Sequence, residues 1–361
     1  MSDAFRGSVK TTGALLALVW FVAYLVRYRY FIGLGGLEPD YMEWAKTNYF
    51  GGITGSYLKS ANAIMALDWS LSGRSYPPVY PFMLAVLKWL SGNDLQVARQ
   101  FQMALDASGI VLVFAICRRL DCLTMVSILA ALGYAVAPWW AWGASPIIAD
   151  SVIPLLVLVF LLAALVARDS NSIKAWLFLG LAGSALTLTR SEFGLLFSVI
   201  LILAVFGAQG RVLAASTAGL FAFWVPFLCV SIINYITFGF FFSATNATFY
   251  AFYSGLGMIP NSFGYVVSDV IAGERLSQFG IHYHTAEAEA FWKNIYLNAW
   301  KDHPYHILKT ILHRFDIIAF GQEHTNYSSL FVPVFHYGFF FFVLAVAWLI
   351  HRRRFYDILI V

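Results

Sequence analysis

Charge is scarce in this sequence. Only 12% of its 361 residues are Asp, Glu, Lys or Arg, against about 25% in a typical soluble domain. With 60% of the residues hydrophobic, that scarcity excludes an ordinary soluble enzyme and leaves a polytopic membrane protein, most of it bilayer-spanning. Cysteine is also scarce. Cys117, Cys122 and Cys229 are odd in number and have no metal-ligand spacing, so they read as small apolar residues rather than as a disulfide or thiolate site. A net charge of +4, scattered along the chain, argues against nucleic acid as a partner. There is no convincing internal repeat or low-complexity linker. What the chain does have is aromatic rings, 18% of all residues, enough to form belts at both membrane interfaces.

The hydrophobic runs predict spans over residues 11–26, 98–116, 123–142, 147–167, 175–189, 193–206, 212–237 and 333–350. The run after Tyr76-Pro77-Pro78-Val79-Tyr80-Pro81 ends near Leu90 and is too short to cross comfortably at about 1.5 Å per residue. Basic clusters at Arg6/Lys10, Arg118/Arg119, Arg168/Lys174, Arg211 and Arg352 to Arg354 mark the cytoplasmic side. Alternation satisfies all of them if residues 77–116 make one net crossing. Both termini are then expected in the cytoplasm, and the first apolar run, lacking a small-residue cleavage site, reads as a retained helix. The chain divides into a membrane module, 1–237, with a first outer loop at 33–76, then an outer loop region, 238–332, and a last span with a basic tail, 333–361. The fold class expected is all-α integral membrane, a helical bundle with interfacial helices in its first outer loop and a long late outer loop.

Ionisable groups at membrane depth are costly and so are functional candidates. Glu38-Pro39-Asp40 lies at the mouth of the first outer loop. Pro39 suits the first position of a helix, which would carry Asp40 and Glu43 on one side and Tyr41, Trp44 and Ala45 on an adjoining face. That describes a helix lying in the interface with its acids toward water, or a solvated acidic cap on a surface helix. Arg27 and Arg29 close the first span, either snorkelling at the interface or clamping a lipid phosphate. Asp150 follows a Ser145-Pro146 turn, as an acid in a helix's first turn or as a site residue. Arg190-Ser191-Glu192 interrupts an apolar stretch, as a mutual ion pair or with Arg190 holding an anion. In the late loop His282 and His284 read as surface residues unless further metal ligands join them. Glu287 to Trp300 reads as an amphipathic helix, and a second one starts at Asp302-His303-Pro304.

Taken in order, these motifs resemble the GT-C glycosyltransferases, in the branch of protein O-mannosyltransferases and the aminoarabinose transferase of lipid A. The resemblance rests on Glu38-Pro39-Asp40, Tyr76-Pro77-Pro78-Val79-Tyr80-Pro81, Ser145-Pro146 with Asp150, and Leu188-Thr189-Arg190-Ser191-Glu192, and runs over residues 1–253. Ser191 stands where the family has proline. Tyr76 stands where a lysine often precedes the Pro-Pro segment, and Arg74 is the nearest cation. The resemblance implies transfer of a sugar from a polyprenyl-phosphate carrier to a glycan, lipid or protein acceptor on the outer face of a membrane, such as a bacterial inner membrane facing the periplasm. A phosphate leaving group is already a stable anion, so only the acceptor hydroxyl needs a base. Asp40 is the residue for it, set opposite the phosphate for inversion. Arg27, Arg74 and Arg190 are the candidates for holding the phosphate. Glu38 and Asp150, with Glu43 near them, would orient the acceptor. Glu38, Asp40 and Asp150 would be the ligands of a divalent Mg²⁺ or Mn²⁺ if the enzyme uses one. Two rival readings remain: an O-antigen ligase or polymerase with a pyrophosphate carrier, relying on the late loop's Arg and His, and a lipid or glycan transporter.

Overall fold

Backbone in hydrocarbon must satisfy its own hydrogen bonds, and this chain does so with helices. The computed structural model describes residues 3–38, 51–68, 77–170, 172–190, 193–194, 197–198, 201–202, 211–238, 248–257, 259–265, 269–281 and 286–320. Among these there is no strand, and the protein is an all-α polytopic membrane protein. Among the described residues, four helical stretches are long and apolar enough to cross a membrane: Thr11–Gly36, Leu95–Arg119, Ile153–Ser170 and Val212–Ile236. Two compact units divide the chain, Met1–Ala244 and Thr245–Val361. The expected span at 333–350 and the basic tail lie outside the described residues.

In the first unit, α1 (Asp3–Phe31) runs into a π turn, Ile32–Gly36. Gly35 interrupts it with a left-handed φ of 74°, a conformation glycine adopts without penalty. A Cβ at Gly36 would sit 2.3 Å from the Phe31 ring, so the helix closes on that aromatic. Next come α2 (Gly51–Met65) and α3 (Val79–Leu90), packed through Tyr57 and Tyr80 with ring centroids 4.8 Å apart. Helices α4 (Leu95–Ala107) and α5 (Gly109–Arg119) form one pass with a break at Ser108. The Ser108 hydroxyl donates to the Ala104 carbonyl at 2.8 Å and accepts from Trp20 of α1 at 3.2 Å. Then come α6 (Thr124–Val136), the short α7 (Pro138–Gly143), α8 (Ile153–Ser170), α9 (Ile173–Thr187) and α10 (Arg211–Phe238).

Three helix boundaries differ from the hydrophobic pattern. The span expected over 123–142 stops at Val136, because Pro138 pushes Ala137 into extended backbone, ψ 114°. The span expected from Ile147 starts at Ile153, and residues 149–151 form a separate 3₁₀ turn. Residues 56–71 carry Tyr57, Ile64, Leu67 and Leu71 as the apolar face of an amphipathic piece, but the helix there starts earlier and ends at Met65, where Leu67 turns left-handed at φ 56°.

The two ends of this unit differ in charge. At one end Asp169, closing α8, pairs with Arg168 at 2.9 Å and with Arg119 of α5 at 3.2 Å. Helices α9 and α10 run parallel, as their closest approaches show: a Cβ at Gly180 would lie 2.0 Å from the Gly219 carbonyl, and one at Gly183 3.2 Å from Phe223. Lys174 and Arg211, at the starts of α9 and α10, therefore share one end, and Lys174 follows directly on the Arg168 turn. The opposite end gathers Leu34 to Glu38, the Ser145 to Asp150 turn and Arg190. Both ends of α3 belong to it: the Val79 amide bonds the Leu188 carbonyl at 3.1 Å, and Gln96, in the first turn of α4 after the short turn that follows α3, bonds the Gly35 carbonyl at 2.9 Å. Helix α3 therefore begins and finishes at the same end without crossing, and between Val79 and Arg119 α4–α5 alone crosses.

The second unit contains α11 (Thr248–Leu256), α12 (Asp269–Gln278), α13 (Ala286–Asp302) and α14 (Pro304–Phe320). Its core stacks Tyr253 on Trp292 at 4.4 Å. Asn261 knots the loop between α11 and α12, accepting from the Phe263 and Tyr265 amides at 3.1 and 3.0 Å. Arg275 ties that loop to the core through the Gly264 carbonyl at 2.7 Å and the Tyr253 hydroxyl at 2.6 Å. Burial raises the Tyr265 phenol above its ordinary pKa, helped by the Asp302 carboxylate.

Candidate active site

The site end is organised by the first turns of α4. Asp94 caps the helix, accepting from the Gln96 and Val97 amides at 2.8 and 3.1 Å, and so relieves orphan N–H groups there. Gln96, Arg99, Gln102 and Asp106 then follow at spacings of three and four, which puts them on one face. Arg99 is 1% exposed. Its Nη2 donates to the Leu34 carbonyl at 2.8 Å and the Ser145 hydroxyl at 3.1 Å, and its Nε to the Ser145 carbonyl at 2.9 Å. Its Nη1 reaches the Gln96 Oε1 at 2.8 Å and the Gly35 carbonyl at 3.4 Å, and the guanidinium lies 4.7 Å from the Phe31 ring centroid. Gln96 donates at 2.9 Å to the carbonyls of both Gly35 and Glu38. Gln102 donates at 2.9 Å to those of Ala144 and Pro146, and accepts from the Tyr80 hydroxyl at 2.9 Å. Thr54 of α2 bonds the Ile147 carbonyl at 3.3 Å.

Through these contacts the separate sequence motifs meet. The approach to the acidic loop and the Ser-Pro turn both rest on α4. The Pro-Pro segment leads into α3, whose Tyr80 bonds Gln102 and whose Val79 bonds Leu188. Two residues after Leu188, Arg190 donates from Nη1 to Asp150 Oδ1. Sequence alone offered Glu192 as the partner of Arg190; Glu192 lies outside the described residues. The two side chains of the Arg190–Asp150 pair keep 41% and 53% of their surface exposed, so the pair is open to a ligand. Asp150 itself sits in the 3₁₀ turn, braced by Ser151, whose hydroxyl bonds the Ile148 carbonyl at 2.6 Å. Glu38 is exposed, with only its backbone pinned.

Arg27 is not at the interface. It is 0% exposed, and its Nε donates to Asp106 Oδ2 at 2.5 Å. Its Nη1 bonds the Ala23 and Ala135 carbonyls, each at 3.1 Å. Tyr134 of α6 completes the group, donating to Asp106 Oδ1 at 2.9 Å. The expected cationic clamp at Arg27 is thus turned inward, joining α1, α4 and α6, while Arg29 is the exposed member of the pair. Asp40, Glu43, Arg74, His282 and His284 lie outside the described residues. Among the described residues no three His, Cys, Asp or Glu side chains cluster as metal ligands, and Asp150 turns its carboxylate to Arg190.

Sequence reading missed the roles of Gln96, Arg99 and Gln102. The signal was there: polar residues every three or four positions through the start of an otherwise apolar pass.

Residues 75–235 match the family model described as dolichyl-phosphate-mannose-protein mannosyltransferase. This match, over less than half of the chain, supports a GT-C superfamily glycosyltransferase. The matched stretch runs from the Pro-Pro segment through α10 and includes both Asp150 and Arg190. The match supports a membrane mannosyltransferase that uses a polyprenyl-phosphate-linked sugar. No curated protein matches the chain.

Proposed function

We propose that this GT-C enzyme transfers a sugar from a polyprenyl-phosphate carrier to an acceptor hydroxyl on the non-cytoplasmic face, with inversion and with Asp40 as general base. The observation that carries the reading is the exposed Arg190–Asp150 pair, set at the end of the bundle where α4 also holds the Gly35 and Glu38 carbonyls. In the reaction the acceptor oxygen bonds the sugar's anomeric carbon as the bond from that carbon to the phosphate oxygen breaks. The hydroxyl proton passes to the Asp40 carboxylate, and the electron pair leaves with the phosphate. Arg190 meets that charge with a cation whose guanidinium N–H groups make charge-assisted hydrogen bonds to the departing phosphate. Before the donor binds, Asp150 holds Arg190; the donor phosphate takes its place, and Asp150 is released toward the acceptor. Arg74 is a second phosphate ligand. Glu38 and Glu43 orient the acceptor, and Glu38, Asp40 and Asp150 are the acids available to a divalent ion.

The test is transfer from a synthetic polyprenyl-phosphate mannose by the purified protein. Asp40→Asn keeps the shape of the side chain and should lower turnover by roughly 100- to 10,000-fold, the range for losing a positioned base, while donor binding persists. Turnover near wild type would pass the base role to Glu38 or Asp150. Activity that survives at Asp40→Asn but fails at His282→Ala would favour a ligase-type mechanism in the late loop.

A further inference from the structure

We infer that Arg99 is a positioning residue that sets the distance between two segments of the site: Leu34 to Glu38 and the turn that carries Asp150. The inference rests on the proposed transferase reading, but the geometry behind it is independent of that reading. One buried guanidinium bridges the Leu34 and Gly35 carbonyls on one side and the Ser145 carbonyl and hydroxyl on the other. Glu38 lies three residues beyond Gly35, and Asp150 five residues beyond Ser145. Neither segment is regular helix at the contact. Gly35 has φ 74°, and residues 145–148 form successive bends ahead of the 3₁₀ turn. Each segment therefore depends on outside donors for its course. Five N–H groups in a rigid plane suit that task, and a lysine cannot replace them, because an ammonium is a point charge with three donors on a flexible stem. The Phe31 ring under the guanidinium and Gln96 at its edge fix its orientation. Arg99 touches neither reacting atom. It acts through backbone, and a displacement of the order of 1 Å at reacting groups costs about 100-fold in rate.

The experiment pairs hydrogen–deuterium exchange with transfer kinetics on the full chain, counting sites by bound donor. In Arg99→Lys, residues 34–38 and 145–148 should exchange faster together, while α8, α9 and α10 keep wild-type protection. The kcat per donor-binding site should fall by about 100-fold, with the donor KM changed by less than about threefold, as for an interaction that matters only at the transition state. Gln96→Ala is a milder variant that leaves Arg99 in place. It should loosen residues 34–38 alone and lower kcat by less. If both segments stay protected in Arg99→Lys, or kcat per site stays within about threefold of wild type, the inference is overturned. A general rise in exchange across the bundle, with the Gln96→Ala protein unchanged, also overturns it in favour of a plain scaffold role. If the wild-type protein transfers no sugar from any polyprenyl phosphate, the transferase reading fails, and the exchange data still decide whether Arg99 holds the two segments.

Discussion

At the scale of single residues, two ion pairs do opposite work. The Arg27–Asp106 pair is sealed, with side-chain exposures of 0% and 1%. Removing one member of such a pair leaves a buried charge uncompensated. Asp106→Asn should therefore cost about 3–5 kcal/mol, seen as a large drop in melting temperature. The apolar double variant Arg27→Met with Asp106→Leu should recover much of the loss, because neither desolvated charge remains. The Arg190–Asp150 pair is open and, as an exposed pair, is worth only about 0.2–1 kcal/mol. A phosphate can displace it. Asp150→Asn removes the competing carboxylate, so donor affinity measured by calorimetry should rise by about two- to fivefold, while transfer slows because the acceptor loses a partner. Weaker donor binding in Asp150→Asn would remove the competition from the mechanism. Sequence made both arginines candidates for the same task. It could not tell them apart, because the difference is made by partners 79 and 40 positions away.

Among the helices, the tightest joint is the parallel crossing of α9 and α10. A Cβ at Gly180 would lie 2.0 Å from the Gly219 carbonyl and 2.9 Å from the Ala222 Cβ, so the backbones approach as closely as they do because Gly180 has no side chain. Gly180→Val should force the helices apart at a cost of about 1–3 kcal/mol or more. Gly133→Ala, where nothing lies within 4 Å of the added Cβ, should be neutral or slightly stabilising. Thermal unfolding in detergent compares the two. The helices themselves were largely legible as apolar runs, and so were α13 and α14, from Glu287 onward and from Pro304. Their ends were less legible. Asp150 looked like the opening of a long apolar helix, yet Ser151 and Ile148 fold a 3₁₀ turn that keeps the carboxylate out of the helix and beside Arg190. Hydropathy registers the apolar content of 147–153 and not the hydrogen bonds that interrupt it. The polar stripe of α4 escaped notice for the opposite reason: Arg99 and Asp106 fall inside a span read from its apolar residues, 98–116, although their spacing with Gln96 and Gln102 puts them on one face.

For the whole molecule, charge separates the two ends of the first unit. Arg118, Arg119, Arg168, Lys174 and Arg211 gather at one end, and Glu38, Asp150 and Arg190 at the other. If the basic end is cytoplasmic, then in a background without Cys117, Cys122 and Cys229 an impermeant maleimide should label Leu37→Cys in intact cells, where Leu37 is 68% exposed, and should reach Ser170→Cys only after permeabilisation. The reverse pattern would put the site on the wrong side of the membrane for the proposed reaction. The sequence left open how many crossings lie between Pro77 and Ile116; the bonds from Val79 to Leu188 and from Gln96 to Gly35 answer it, and no local pattern records them. The length of the remaining pass has a consequence of its own. Leu95–Arg119 is 25 residues long, about 37 Å at 1.5 Å per residue, and a typical hydrocarbon core is only about 30 Å thick. A pass that is too long leans, and leans further as the acyl chains shorten. Its first turns hold Leu34, Gly35 and Ser145, with Ser108 as the joint to the rest. Lean is thus delivered to the two loops by the lever that spaces them, which makes the thickness of the surrounding lipid one of the settings of the site.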